Sequence, residues 1–374
     1  MKIIHINNYS HSLLTKDLEQ GIFDDWYART AFYLKKYYSK LDIECWTPER
    51  TFKKEKTVTK NGVKFRIFPS SFVIMYGREF SLPMLKALKK EKKAILHIHE
   101  GHSYTAYTIM NFFKNPIVVQ HHGGRAPLLH LKKGLQFLIL TPILLLDQII
   151  ELLSFRNVSH FFVLNNYEKS YLNKFVNKKN VRIQTMGIDT NIFKPYNKDK
   201  AREKLGLPKD KKIILFSGSL IKRKGVKYLI NAVNDLDVLL LIIGGGKERN
   251  KLENISNSNV KFLGYKSNKL MPLYLSSADV YAMPSLWEGA CISLMEAFSC
   301  DIPVVATDVG NARELISNNT GIIVKKKNIE ELRNAIIYVL NNPNKFKGMR
   351  NTINKNYDWK VICKRTLDIY KKLH

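Results

Sequence analysis

The chain has 374 residues, 45% hydrophobic and 25% charged, a composition that excludes a disordered or fibrous protein and suits two domains, each burying its own core. Its 61 Lys and Arg against 32 Asp and Glu leave a net charge of +29. That field favours phosphate-bearing ligands, nucleic acid or anionic lipid without choosing among them, and a lysine-rich compositional bias accounts for it equally well.

The amino terminus enters directly into a strand pattern, KIIHI at 2–6, with no apolar leader. Cys45, Cys291, Cys300 and Cys363 show no paired spacing, so a reducing, cytoplasmic setting is expected. Further strands are expected at 43–46, 94–99, 117–121 and 160–164, with helical stretches at 24–40 and 81–93. Asn61-Gly62 between TVTK and VKFRIF marks a two-residue hairpin turn.

An apolar stretch follows at 131–155. Its uncharged run, Gly134 to Leu146, is 13 residues, which as helix reaches about 20 Å against a hydrocarbon core of about 30 Å, so it cannot span a membrane. It reads as a core helix kinked at Pro142 or as an interfacial helix with its lysines on headgroups.

Residues 194–210 are polar with two prolines and place the linker near Pro195, giving domains at 1–195 and 196–356. The second half restarts with KIILFSG at 212–218, then VLLLIIGGG, NVKFLG, ADVYAMP, PVVATD and GIIV. Short apolar strands alternating with helical stretches from end to end define an α/β chain with parallel sheets, in which chemistry belongs just after the strands.

After ADVYAMP, Glu288 falls on a loop and Glu296 eight residues on in a helix, with Gly289 and Ala290 small enough for a ligand to approach the backbone. A helix starting here would aim unpaired amides of Ala290, Cys291 and Ile292 at an anion. Gly244-Gly245-Gly246-Lys247 is not a P-loop, because Leu241 and Glu248 stand where Gly and Ser/Thr belong; it reads as a strand-to-helix turn. Five histidines in HIHEGHS (97–103) and VVQHHGG (118–124) suggest metal. With no HExxH, no nearby Cys and only Glu100 as acid, none is expected.

The Glu288 to Glu296 spacing within PSLWEGACISLMEAFSCDIPVVATDVG resembles the EX7E motif of glycosyltransferase family 4 (group 1), retaining enzymes of the GT-B fold, in which two Rossmann-like domains face each other across a cleft. FSGSLIKRKGVKYLINA (216–232), NVKFLGY (259–265), MGIDTNIFKP (186–195) and HIHE (97–100) agree, so the resemblance covers nearly the whole chain. It implies retaining transfer of a hexose-type sugar from a UDP or GDP sugar to a glycan or lipid-linked acceptor, with no permanently bound cofactor and no metal.

By the same resemblance Glu296 binds the donor's ribose hydroxyls and Glu288 the donor sugar, while the backbone of Gly289, Ala290, Cys291 and Ile292 holds sugar and phosphate. Carboxylates suit this work because two oxygens accept from vicinal hydroxyls. Lys224 matches the lysine that contacts the diphosphate. Ser219 stands where the family has Arg, which leaves Arg223 to supply that charge. A His ending a strand before a Gly touches the donor sugar near the reacting carbon; His122 fits, with His121 its rival. Gly21 takes the place of a glycine-rich turn facing the donor phosphates, although the usual Gly-Gly pair is absent. The last helix, about 357–374, is expected to pack back on the first domain. The implied partners are the nucleotide sugar and the acceptor, while the net positive charge and the apolar stretch at 131–155 suit an anionic surface at the cytoplasmic membrane face. Competing readings are a sugar-nucleotide epimerase of the same fold and a basic nucleic-acid or membrane binding module; with no nucleic-acid motif, nucleic acid is not expected.

Overall fold

The computed structural model describes residues 1–11, 17–74, 78–121, 146–147 and 149–374. His122 and most of the apolar stretch at 131–155 lie outside the described residues. The chain forms two compact units, Met1–Met186 with Cys363–His374, and Gly187–Ile362; the stretch around Pro195 lies in the second.

In the first unit the strands are β1 (Lys2–Ile6), β2 (Asp42–Glu49), β3 (Lys56–Lys60), β4 (Val63–Pro69), β5 (Phe72–Ile74), β6 (Arg78–Phe80), β7 (Ile95–His99), β8 (Ile117–Gln120), β9 (His160–Val163) and β10 (Val181–Ile183). Eight form one sheet in the order β10-β9-β8-β7-β1-β2-β4-β3, and β5 pairs with β6. All neighbours in the large sheet are parallel except β3 with β4. That pair is the Asn61-Gly62 hairpin, with φ of 50° and 73° at its two turn residues, the geometry of a type I′ turn. Helix Trp26–Tyr37 starts where the Asp25 side chain caps it and buries Ala28, Ala31 and Leu34 at helical spacing.

In-register partners in a parallel sheet share a face. Ile4, Ile6, Trp46, Leu96, Ile98, Val119 and Phe161 pack into one apolar cluster. On the other face His5 pairs with both Cys45 and His97, and His99 pairs with Gln120; all five are buried. Tyr370, from the returning carboxyl-terminal segment, bonds His97 Nδ1 through its hydroxyl.

The second unit holds β11 (Lys212–Ser217), β12 (Val238–Ile243), β13 (Val260–Gly264), β14 (Val280–Met283), β15 (Val304–Thr307) and β16 (Gly321–Val324). They form a fully parallel sheet ordered β13-β12-β11-β14-β15-β16, the order of a Rossmann fold. Its strands alternate between two apolar layers: Ile213, Leu215, Leu241 and Tyr281 on one side, Ile214, Phe216, Leu240 and Ala282 on the other. The strand order reverses between β11 and β14, and a ligand crevice belongs outside the carboxyl ends of those two strands.

Candidate functional site

At that reversal, close backbone approaches seat the loops. A Cβ on Gly244 would lie 2.0 Å from the Gly218 carbonyl oxygen and one on Gly246 2.4 Å from that of Leu220. The glycine run is therefore a packing turn that lets β12 close on the loop after β11. Gly225, at φ +65°, would put a Cβ 2.1 Å from the Pro284 oxygen, and the Leu286 amide donates to the Arg223 carbonyl at 2.7 Å. The loop after β11 is thus held against the loop after β14.

Glu288 sits where these loops meet, 7% exposed. Lys224 Nζ donates to one carboxylate oxygen at 2.6 Å and Arg223 Nη1 to the other at 3.1 Å. Ser285 Oγ donates to the first oxygen at 2.6 Å. Arg223 also donates to the Trp287 carbonyl at 2.8 Å and lies over the Trp287 ring. Two cations on one buried carboxylate offset its desolvation. They also form a pair of donors that an incoming anion can engage in its place. Ser219 is exposed on the same loop.

The helix Ile292–Ser299 starts just beyond. Of the three amides expected to be unpaired at its start, that of Cys291 is not: it donates to Asn311 Oδ1 at 2.8 Å. The cause is tertiary. Gly310, at φ +54°, brings the loop after β15 so close that a Cβ there would sit 3.0 Å from the Gly289 oxygen and 3.2 Å from Cys291 Sγ, which delivers the Asn311 amide to the helix start. Burial, then the Glu288 charge, pushes the Cys291 thiol up to about 12. Gly289, Ala290 and Ile292 are half-buried. Glu296 is half-buried on the same helix. Burial raises the Tyr281 phenol to about 12 against hydrogen bonds with Ser217 and Ser293, and the charge of Glu296 adds to the rise.

In the first unit Gly21 departs from expectation. It lies inside the helix Leu18–Asp24, its amide donating to the Asp17 carbonyl at 3.0 Å, and not in a phosphate-facing turn. Asp17 caps that helix by accepting from Gln20 N, so the chain turns helical before the glycine is reached. The order of this sheet reverses between β1 and β7. There a cavity of about 210 Å³ is lined by Asn7, Tyr9, Asp25, Trp26, Tyr27, His99 and Glu100. Asp25 accepts from His11 Nε2 at 2.7 Å and from the Tyr9 hydroxyl. Burial pushes its carboxyl up, but the bonds from His11 and Tyr9 outweigh this and hold it below its ordinary value.

Among the described residues His5, His97 and His99 place ring nitrogens within 4.8 Å of one another. They engage neighbours already, His5 Nδ1 with His99 Nε2 at 3.0 Å and His97 with Tyr370. His121 follows β8, its amide donating to the Phe162 carbonyl at 2.8 Å. Sequence reasoning missed Ser285, Asn311 and Asp25. Ser285 and Asn311 do lie just after strands, and an Asp ahead of an amphipathic run is a helix-start signal.

Residues 197–358 match the family model described as "Glycosyl transferases group 1". The chain is 30% identical over 205 residues, 49% of this chain and 54% of the relative, to a GDP-mannose-dependent monoacylated alpha-(1-6)-phosphatidylinositol monomannoside mannosyltransferase of Corynebacterium glutamicum. It therefore spans about half the length of that relative. It is 25% identical over 300 residues, 75% of this chain and 74% of the relative, to an Escherichia coli UDP-Gal:alpha-D-GlcNAc-diphosphoundecaprenol alpha-1,3-galactosyltransferase. Among solved structures it is similar to sucrose-phosphate synthase from Thermosynechococcus elongatus, with a TM-score of 0.77 at 18% identity over 100% of this chain and 99% of that one. It is also similar to Anabaena Alr3699/HepE in complex with UDP, with a TM-score of 0.74 at 16% identity over the whole of both chains. At these identities the structures establish the fold.

Proposed function

We propose that the chain, whose residues 197–358 match the group 1 glycosyl transferases and whose fold is GT-B, is a transferase of that family that moves a hexose-type sugar, with retention, from a nucleotide diphosphate sugar to a glycan or lipid-linked acceptor. The observation that carries the reading is the clamp of Lys224 and Arg223 on the buried Glu288, at the strand-order reversal and beside a helix start.

The leaving diphosphate gains negative charge as the glycosidic bond breaks, and fixed cations at that point lower the barrier. Lys224 and Arg223 fill that role, Arg223 standing in for the arginine that Ser219 replaces. Once the diphosphate engages both cations, Glu288 is released to accept from sugar hydroxyls. The amides of Ala290 and Ile292 hold the phosphate, that of Cys291 being taken by Asn311. Glu296 receives the ribose hydroxyls, His122 approaches the sugar near the reacting carbon, and a diphosphate oxygen takes the acceptor's proton. No permanently bound cofactor or metal takes part in this scheme.

The donor is a UDP or GDP sugar, since relatives named for each are similar to this chain. A lipid-linked acceptor at the cytoplasmic membrane face accords with the net charge of +29 and with exposed Leu146, Ile149 and Leu153, three and four residues apart. Among the described residues no helix is long and apolar enough to cross a membrane.

Thermal-shift screening against UDP, GDP, ADP and their sugar conjugates tests the reading: one nucleotide sugar raises Tm. With that donor, Glu288→Ala lowers transfer by roughly 10²-fold or more while strand protection from hydrogen exchange is kept. If no nucleotide shifts Tm, or if Glu288→Ala keeps full activity, the reading fails. Donor conversion without acceptor would indicate the epimerase.

A further inference from the structure

Four buried side chains of the first unit form a chain that the proposed reaction leaves unused. His102 lies in the loop after β7 and His121 at the end of β8, Glu151 is on the helix 149–155, and Glu168 is in the first turn of the helix Asn166–Leu172 after β9. All four are less than a tenth exposed. The Glu151 carboxylate meets His102 Nδ1. His102 Nε2 lies 2.6 Å from His121 Nε2, and His121 Nδ1 lies 3.3 Å from Glu168 Oε2. The same Glu168 oxygen accepts from Leu164 N at 2.9 Å, while Asn165 caps the helix by accepting from Glu168 N.

Proton counting constrains this arrangement. An ionised carboxylate only accepts, so each Nδ1 carries a proton, and a neutral ring then has a bare Nε2. Two bare lone pairs facing at 2.6 Å repel, and two N–H groups at that distance collide. A single proton between the rings, three on the two imidazoles in all, turns the ring-to-ring contact into a hydrogen bond. Buried carboxylates flanking one imidazolium are also cheaper than the same carboxylates beside neutral rings.

We propose that Glu151, His102, His121 and Glu168 form a carboxylate–imidazole–imidazole–carboxylate chain holding one shared proton between its rings, and that they act as positioning residues for the carboxyl end of β8, where the next residue in sequence is His122. The shared proton follows from the geometry alone; its service to catalysis rests on the transferase reading. The groups facing His121 are His102, Glu168 and, farther off, Glu100 and Glu151. Burial drives the His121 imidazole towards neutrality, but these carboxylates, Glu168 foremost, outweigh it and raise its pKa above the ordinary value.

The test is nuclear magnetic resonance of the full chain labelled with [15N]histidine, without substrate. One strongly deshielded N–H proton correlated to imidazole nitrogens is expected at pH 7, absent in both His102→Asn and His121→Asn. Two independent neutral tautomers would overturn the proposal. Glu168→Gln keeps the shape and removes the charge, so the pH at which the shared proton is lost should fall by about 1–3 pH units; an unmoved midpoint also overturns it. With the donor found by screening, Glu168→Gln should lower kcat roughly tenfold, leave KM for the donor little changed, and move the kcat–pH profile with the spectroscopic midpoint. A profile that ignores that midpoint removes the positioning role. Failure of the resonance sinks the proton chain whatever the protein catalyses, whereas the resonance in a protein that transfers no sugar sinks only the transferase reading.

Discussion

In the second unit apolar clusters cover both faces of the sheet, so VLLLII in β12 is buried residue by residue without a polar group. In the first unit one face is built the same way, but the other buries His5, His97, His99 and Gln120 beside Cys45. The ten histidines of the chain all fall outside Gly187–Ile362. Both units solve the same problem, a parallel sheet covered on two sides, yet the first also ties its stability between pH 7 and pH 5 to buried imidazoles. Buried apolar area is indifferent to pH, whereas a buried imidazole must stay neutral or be paired.

The largest expected effect breaks the second unit alone. Gly225→Ala forces a side chain into a φ of +65° with its Cβ 2.1 Å from the Pro284 oxygen, which should cost about 3 kcal/mol or more. Hydrogen exchange should then speed up in β11 and β14 while β1 and β7 keep their protection; equal loss in both units would contradict independent cores.

Acid should do the reverse. Burial holds His5 down to about 3, and burial with Arg182 and Lys372 holds His160 down to about 4. Both stay neutral in the fold but take up protons on unfolding once pH drops below the ordinary value of 6.5. The unfolded chain then binds more protons, so stability falls as pH falls. For His5 the slope is about 1.4 kcal/mol per pH unit from the unfolded value down to the folded one. His121 has the opposite sign: its raised pKa contributes stability in full below 6.5, lost as pH rises through the folded value. Exchange measured at pH 7 and pH 5 should show protection lost in β1 and β7 and kept in β11 and β12. Uniform loss would remove the distinction.

The smallest effect sharpens the comparison within the first unit. Gly62→Ala meets only the flexible Lys35 side chain, at 3.4 Å, but keeps a φ of +73°. It should cost about 1 kcal/mol, read as a lower urea midpoint at unchanged slope, the same at pH 7 and pH 5 because no proton is involved.

Much of the fold was legible because its signals are local. Apolar runs such as KIILFS and IVVQ read directly as strands, and Asn61-Gly62 as a turn, since only residues tolerant of positive φ serve there. The glycine run at 244–246 also read correctly as a strand-to-helix turn, since the P-loop pattern fails at Leu241 and Glu248. Gly21 misled: a glycine after the first strand suggests a loop, but Asp17 four residues earlier caps a helix that absorbs it. The Cys291 amide misled because its partner, Asn311, arrives from another strand.

By itself the sequence determined which segments become strands and helices, the hairpin, and the family resemblance carried by the motif between Glu288 and Glu296, because each depends on residues close along the chain. Tertiary structure alone decided the strand order, and with it every contact between loops: Lys224 and Arg223 on Glu288, Asn311 on the Cys291 amide, and Glu151, His102, His121 and Glu168 in one buried chain. The physical reason is that parallel strands bring loop ends together across sequence separations that no local pattern encodes, and hydrogen-bond partnership is settled only once those ends meet.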